Sequence, residues 1–122
     1  MYHYVRDIQK SNFKNLKALD IKNFCCQIDY LNKSYNIISG NELISYILGE
    51  QKKLPPNPCL LTFDDGYKDH IDYVLPELLK RKLKGCFFPI ASTIVEKQLL
   101  DFNAIQLILA YVKNLDQLIL NL

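Results

Sequence analysis

The chain has 122 residues, 49% hydrophobic and 23% charged, which suits one small domain with an ordinary core and argues against disorder. Fifteen Lys and Arg stand against thirteen Asp and Glu, a formal charge of +2, so the concentrated basicity that nucleic-acid binding needs is missing and no nucleic-acid partner is expected. The four cysteines, Cys25, Cys26, Cys59 and Cys86, show no CxxC spacing. They point to free thiols in a reducing compartment, the cytoplasm by default, with a zinc-thiolate site as the lesser alternative.

In chain order, Tyr2 to Val5 reads as a short strand, and Met1 to Arg6 runs into polar sequence without the apolar segment of a signal peptide. A polar loop through Asp7 and Gln9-Lys10-Ser11-Asn12 follows. Asp20 suits the N-cap of a helix of about thirteen residues, with Phe24, Ile28 and Leu31 at helical spacing. Asn36 to Ser39 is a second strand, and Ser39 with Glu42 has the spacing of a capping box opening a helix through Leu43, Ile44, Ile47 and Leu48.

Leu54-Pro55-Pro56-Asn57-Pro58 cannot be regular structure and leads into a strand over Cys59 to Phe63. Beyond Gly66 a third helix is expected to about Lys82, with Ile71, Val74, Leu75, Leu78 and Leu79 on one face and Pro76 as a kink. Gly85 to Pro89 forms the next strand, and helices near Asn103 to Val112 and from about Leu115 close the chain. Asp101, Lys113 and Asp116 interrupt the apolar stretch from Leu99 to Leu122, making it an amphipathic helix and not a membrane span. Strands alternating with helices predict a parallel sheet covered by helices, and ligands of such sheets bind outside the carboxyl ends of the strands.

Asp64 and Asp65 lie at such an end, followed by Gly66 and Tyr67. Two neighbouring carboxylates can divide labour, one holding a divalent cation and one acting as a base. The plainer reading is a turn that ends a strand and caps the next helix. A haloacid-dehalogenase-type phosphatase separates its two aspartates by one residue, and a receiver-like phosphorylation pocket places its acidic pair after the first strand, so both fit poorly. His3 is placed on the first strand, able to point at the same mouth as Asp65. His70 reads as a surface or groove-edge residue, Tyr67 as packing or rim, and Asp69 and Asp72 as stabilising a helix N-terminus.

Thr62-Phe63-Asp64-Asp65-Gly66 resembles the first signature motif of the polysaccharide deacetylases of carbohydrate esterase family four. The likeness extends to Met1-Tyr2-His3-Tyr4-Val5, to the helix with Pro76 and Leu78-Leu79, and to Gly85-Cys86-Phe87-Phe88-Pro89, covering most of residues 1 to about 95. It implies a distorted (β/α) barrel, here partial, with about four parallel strands and covering helices. It also implies a hydrolase acting on non-peptide carbon-nitrogen bonds, removing N-acetyl groups from a sugar polymer or its precursor. Carried over, Asp64 would be the catalytic base and Asp65 a ligand to a divalent metal, usually zinc, with His3 and Tyr67 lining the site.

That family completes its metal site with an HxxxH pair, and this chain has only His3 and His70. Catalytic zinc takes about three protein ligands, so one carboxylate is not a zinc site. A full barrel of this kind needs about 200 residues or more. Residues 1–122 therefore read as the N-terminal part of a deacetylase domain, ending before the second metal-binding motif. Two functions are expected from this: a metal-dependent deacetylase left incomplete in this chain, or a non-catalytic fragment or interaction module that keeps the local fold and either self-associates or joins a complementing fragment.

Overall fold

The computed structural model describes residues 1–112. Asp20 ends a two-residue strand and caps the first helix, its carboxylate accepting the Lys22 backbone N–H at 2.9 Å. The helix, α1 (Ile21–Ser34), buries Phe24 and Ile28 one turn apart. The capping box is present: the Ser39 hydroxyl accepts the Glu42 N–H while the Glu42 carboxylate accepts the Ser39 N–H, opening α2 (Gly40–Ile47). Six short strands form three parallel pairs: β1 (Val5–Arg6) with β2 (Leu19–Asp20), β3 (Asn36–Ile38) with β4 (Pro58–Leu60), and β5 (Thr62–Asp65) with β6 (Cys86–Pro89).

All four expected strand regions are present, but the number of strands is higher, for two reasons. The segment expected as one strand changes partner at Leu61, from β3 to β6, and so divides into β4 and β5. β2 was not expected because it has only two residues and the second of them, Asp20, is itself the helix cap. A parallel bridge between Tyr2 and Phe63 adds the N-terminal segment along the other side of β5: Tyr2 N–H donates to Thr62 C=O, and Asp64 N–H donates to Tyr2 C=O.

The helix expected after Gly66 is two pieces, a π-helical turn over His70–Val74 and then α3 (Leu75–Lys80). Pro76 accounts for the break, since it has no N–H for the usual bond and its ring crowds the carbonyl four residues back. A short α4 (Ala91–Val95) was not expected, and α5 (Asp101–Tyr111) lies where a helix was expected. α5 is not amphipathic in the expected sense: it buries Asn103 and Ala110 and exposes Phe102, Ile105, Ile108 and Leu109. No helix among the described residues is long and apolar enough to cross a membrane. The helix expected from Leu115 lies outside the described residues.

The main core joins Val5, Phe24, Ile28, Leu61, Phe63, Val74 and Leu78. Burying a ring such as that of Phe24 or Phe63 contributes about 1.5–3 kcal/mol. A second, smaller cluster of Tyr4, Leu16 and Ala110 packs with Phe13 and Tyr67 beside the end of β5.

Candidate active site

Alternation along β5 separates core from site. Tyr2, Phe63 and Phe87 stack in one row across three neighbouring segments, with ring centroids 5.4 and 4.9 Å apart and planes within 18° of parallel. Phe63 meets Phe24 of α1 edge-on from the same side. One residue further along, Asp64 is in register with Phe88 of β6, and both face the opposite side of the sheet. Asp64 is partly exposed, and Phe88 is 55% exposed.

Asp65 leaves the strand with φ 72°, a left-handed conformation that Asp tolerates better than most residues, and Gly66 continues at φ 71°. A Cβ on Gly66 would lie 2.7 Å from the Cβ and 2.9 Å from the Cα of Pro89, so glycine is required both for conformation and for space. The turn aims the Asp65 carboxylate at His3. His3 Nδ1 stands 3.0 Å from Asp65 Oδ2, and because an ionised carboxylate only accepts, Nδ1 carries the donated hydrogen. His3 and Asp65 are thus brought together across 62 positions of sequence, with His3 just ahead of β1 and not on it.

The segment after Gly66 is tied to the N-terminal segment at three further points. Tyr67 stacks on Tyr4 with centroids 3.8 Å apart. His70 Nε2 is 2.8 Å from His3 C=O, which makes Nε2 the donor, and the buried Nδ1 has no partner among the described residues. Arg6 Nε donates to Asp69 Oδ2 at 2.7 Å. These ties correct two expectations. His70 is 3% exposed, packed among Phe63, Tyr67 and Phe87, and so is not on the surface, although it does line a groove with Gly66, Leu75 and Pro89. Asp69 makes no capping bond, because Arg6 engages its carboxylate, whereas Asp72 pairs with Lys68 one turn earlier.

Tyr67 is a packing residue beside the carboxylates. Its hydroxyl accepts from Asn103 Nδ2 at 2.7 Å, and the same nitrogen reaches the Tyr4 hydroxyl at 3.1 Å. Burial first, then the neighbouring Tyr4 and Asp65, push the Tyr67 phenol well above its ordinary range, and Asn103 opposes them in part, so it stays protonated at any physiological pH. Sequence reasoning missed Asn103. A buried amide in an apolar helix is a signal of a polar partner, but nothing in the sequence says that the partners are two tyrosines far upstream.

The donors at this turn suit a divalent ion in kind: one imidazole nitrogen and one carboxylate. Among the described residues no group of three His, Cys, Asp or Glu is placed to hold a metal, so the number falls short of the roughly three protein ligands of catalytic zinc. The four cysteines are free and stand apart from the turn's donors.

The family model described as polysaccharide deacetylase matches residues 51–114, a span that contains β4, β5, the Asp64-Asp65 turn and β6. The chain belongs to the polysaccharide deacetylase family. Among solved structures, the fold is similar to that of a de-N-acetylase from Aggregatibacter actinomycetemcomitans, with a TM-score of 0.65 at 24% identity over 81% of this chain and 40% of that one. It is also similar to IcaB from Ammonifex degensii, with a TM-score of 0.60 at 31% identity over 75% of this chain and 38% of that one. The chain thus spans about two fifths of the length of these solved relatives. No curated protein matches it. The shared architecture is a mixed α/β fold of short parallel strands and helices.

Proposed function

We propose that the chain carries the Asp64-Asp65 part of a metal-dependent site that hydrolyses N-acetyl groups on a sugar polymer or its precursor, set on a partial (β/α) barrel. The observation that supports this reading best is the turn at Asp65: it points one carboxylate at His3 and leaves Asp64 on the open face of the sheet. In this proposal Asp64 is the base: it takes a proton from the attacking water as the new carbon-oxygen bond forms, and returns it to the amide nitrogen as the carbon-nitrogen bond breaks, giving acetate and a free amine. Asp65 would hold the metal, and His3 fixes the orientation of its carboxylate by occupying one oxygen, as outer-shell partners of metal ligands commonly do. A divalent ion bound there supplies Lewis acidity towards the acetamide oxygen. Tyr67, protonated and stacked, lines the wall. The free cysteines are in keeping with a cytoplasmic setting.

The test is acetate release from an N-acetylglucosamine oligomer with and without zinc. Asp64→Asn should lower the rate about 100- to 10,000-fold, the range for loss of a general base. Equal rates for the variant and the parent chain would overturn the assignment of Asp64.

A second reading has its own observation: among the described residues no three His, Cys, Asp or Glu side chains are grouped to hold a metal. On this reading the chain is a non-catalytic module that keeps the local fold and joins a complementing fragment or a second copy, as the exposed Ile44, Ile47 and Leu48 by α2 and Ile105 of α5 suggest. Absence of zinc by elemental analysis after dialysis against it, together with no acetate release, would favour this reading, and light scattering would show the association.

A further inference from the structure

We propose that Phe88 is a platform for a sugar ring, setting substrate position beside Asp64. The inference rests on the deacetylase reading for its substrate class and on the register of β5 and β6 for its geometry. Asp64 and Phe88 are directly paired across the sheet and face the same side, while the alternate pair, Phe63 and Phe87, stacks on the other side. Phe87 has an evident structural task in covering Phe63. Phe88 has none of that kind: among the described residues it stacks on no aromatic ring and keeps 55% of its surface open.

A large apolar side chain left open next to a carboxylate is more informative than an exposed aliphatic residue elsewhere on the surface. The faces of an aromatic ring carry partial negative charge, and the axial C–H groups of a pyranose present a weakly positive apolar face. A ring of that size packs flat on a phenyl group, with its equatorial substituents directed sideways in the plane of the sugar. From Phe88, sideways across one strand spacing of about 4.8 Å is Asp64. An acetamido group on a sugar seated on Phe88 is thereby within reach of the proposed base, with Asp65 and its partner His3 following directly after Asp64 at the turn. This makes Phe88 a positioning residue that acts through substrate contact and takes no proton. It also selects ligands: a hexopyranose with an equatorial acetamido group fits, whereas a short N-acetylated amine without a ring has nothing to pack on Phe88.

The experiment is a titration of the intact chain with the N-acetylglucosamine trimer, followed by NMR, with acetate release measured in parallel. In the parent chain, nuclear Overhauser contacts are expected between ring protons of Phe88 and axial sugar protons. Phe88→Tyr should bind within about threefold of the parent, and Phe88→Leu should bind at least tenfold more weakly. Leucine keeps apolar packing without the flat ring, so a merely structural role predicts that it binds as well as phenylalanine does. Asp64→Asn should retain the sugar contacts. Absence of contacts to Phe88 in the parent chain, or unchanged binding by Phe88→Leu, would overturn the inference. Trimer binding that depends on Phe88 without acetate release would sustain it and overturn catalysis by this chain. Acetate release that Phe88→Leu leaves unchanged would do the reverse.

Discussion

Phe63 and Phe88 are close neighbours on adjacent strands and one residue out of step, yet they live in different environments. Phe63 is wholly buried among Tyr2, Phe24, His70 and Phe87, and Phe88 stands 55% exposed in register with Asp64. The sheet thus has a side that stabilises the fold and a side left open, and a single step along β5 moves from one to the other. A one-residue step from core to open face needs no change of element, only the alternation of a strand.

The comparison breaks most visibly on truncation. Phe63→Ala should cost about 3–5 kcal/mol, read as a fall in the denaturant midpoint. In a domain whose whole stability is of the order of 5–15 kcal/mol, that removes a large share of it. Phe88→Ala should stay within about 1 kcal/mol. Similar losses for the two would show that Phe88 is also a core residue.

The fold side of this contrast was legible in the sequence because it is periodic. Phe24 and Ile28 announce a helix face, Leu61 and Phe63 an apolar strand, and Ser39 with Glu42 a helix start, each through neighbours a few residues away. The site was legible only in part. Asp64, Asp65 and Gly66 are adjacent in sequence, so their turn was visible, whereas the hydrogen bond from His3 to Asp65 spans 62 positions and had no local pattern. Arg6 with Asp69, His3 C=O with His70, and Asn103 with Tyr4 and Tyr67 are long-range polar pairs with no local pattern to announce them. Prolines were read well as breaks, but the π-helical turn before Pro76 depends on how the backbone relaxes around the missing donor.

Gly66→Ala sharpens the comparison from the open side. It leaves every core residue in place but forces a left-handed conformation on alanine and drives a methyl group into Pro89. The expected cost is about 2 kcal/mol, combining the backbone penalty with displacement of β6. The His3 ring resonances should shift as Asp65 loses its alignment. A stability equal to that of the parent chain would mean that the turn and β6 are free to move apart.

Asn103→Ala probes the wall between the two sides. It leaves the Tyr4 and Tyr67 hydroxyls without their shared donor, at an expected cost of about 1–2 kcal/mol. A denaturant midpoint unchanged from that of the parent chain would contradict the arrangement.

The smallest effect comes from a polar clamp on the helices outside the sheet, far from Asp64. Arg81 bonds Asp29 of α1 through Nε at 2.6 Å and also pairs with Glu77 of α3, which in turn accepts from the Cys25 thiol. Hydrogen bonding to Arg81 is the main reason that both carboxyl groups are held below their ordinary values of 3.8 for Asp29 and 4.5 for Glu77. A carboxyl group with a depressed folded value binds fewer protons in the folded chain than in the unfolded one as the solution turns acid. Its contribution is therefore complete above those ordinary values and is lost as pH falls through the lower folded values. Stability measured by denaturant midpoint should fall from pH 6 towards pH 3 more steeply in the parent chain than in Arg81→Met, and the gap between them should narrow across that interval. Salt should narrow it too at neutral pH, because these pairs are partly open to solvent. If the gap instead stays constant with pH, the clamp holds α1 against α3 through the packing of the Arg81 stem and not through its charge.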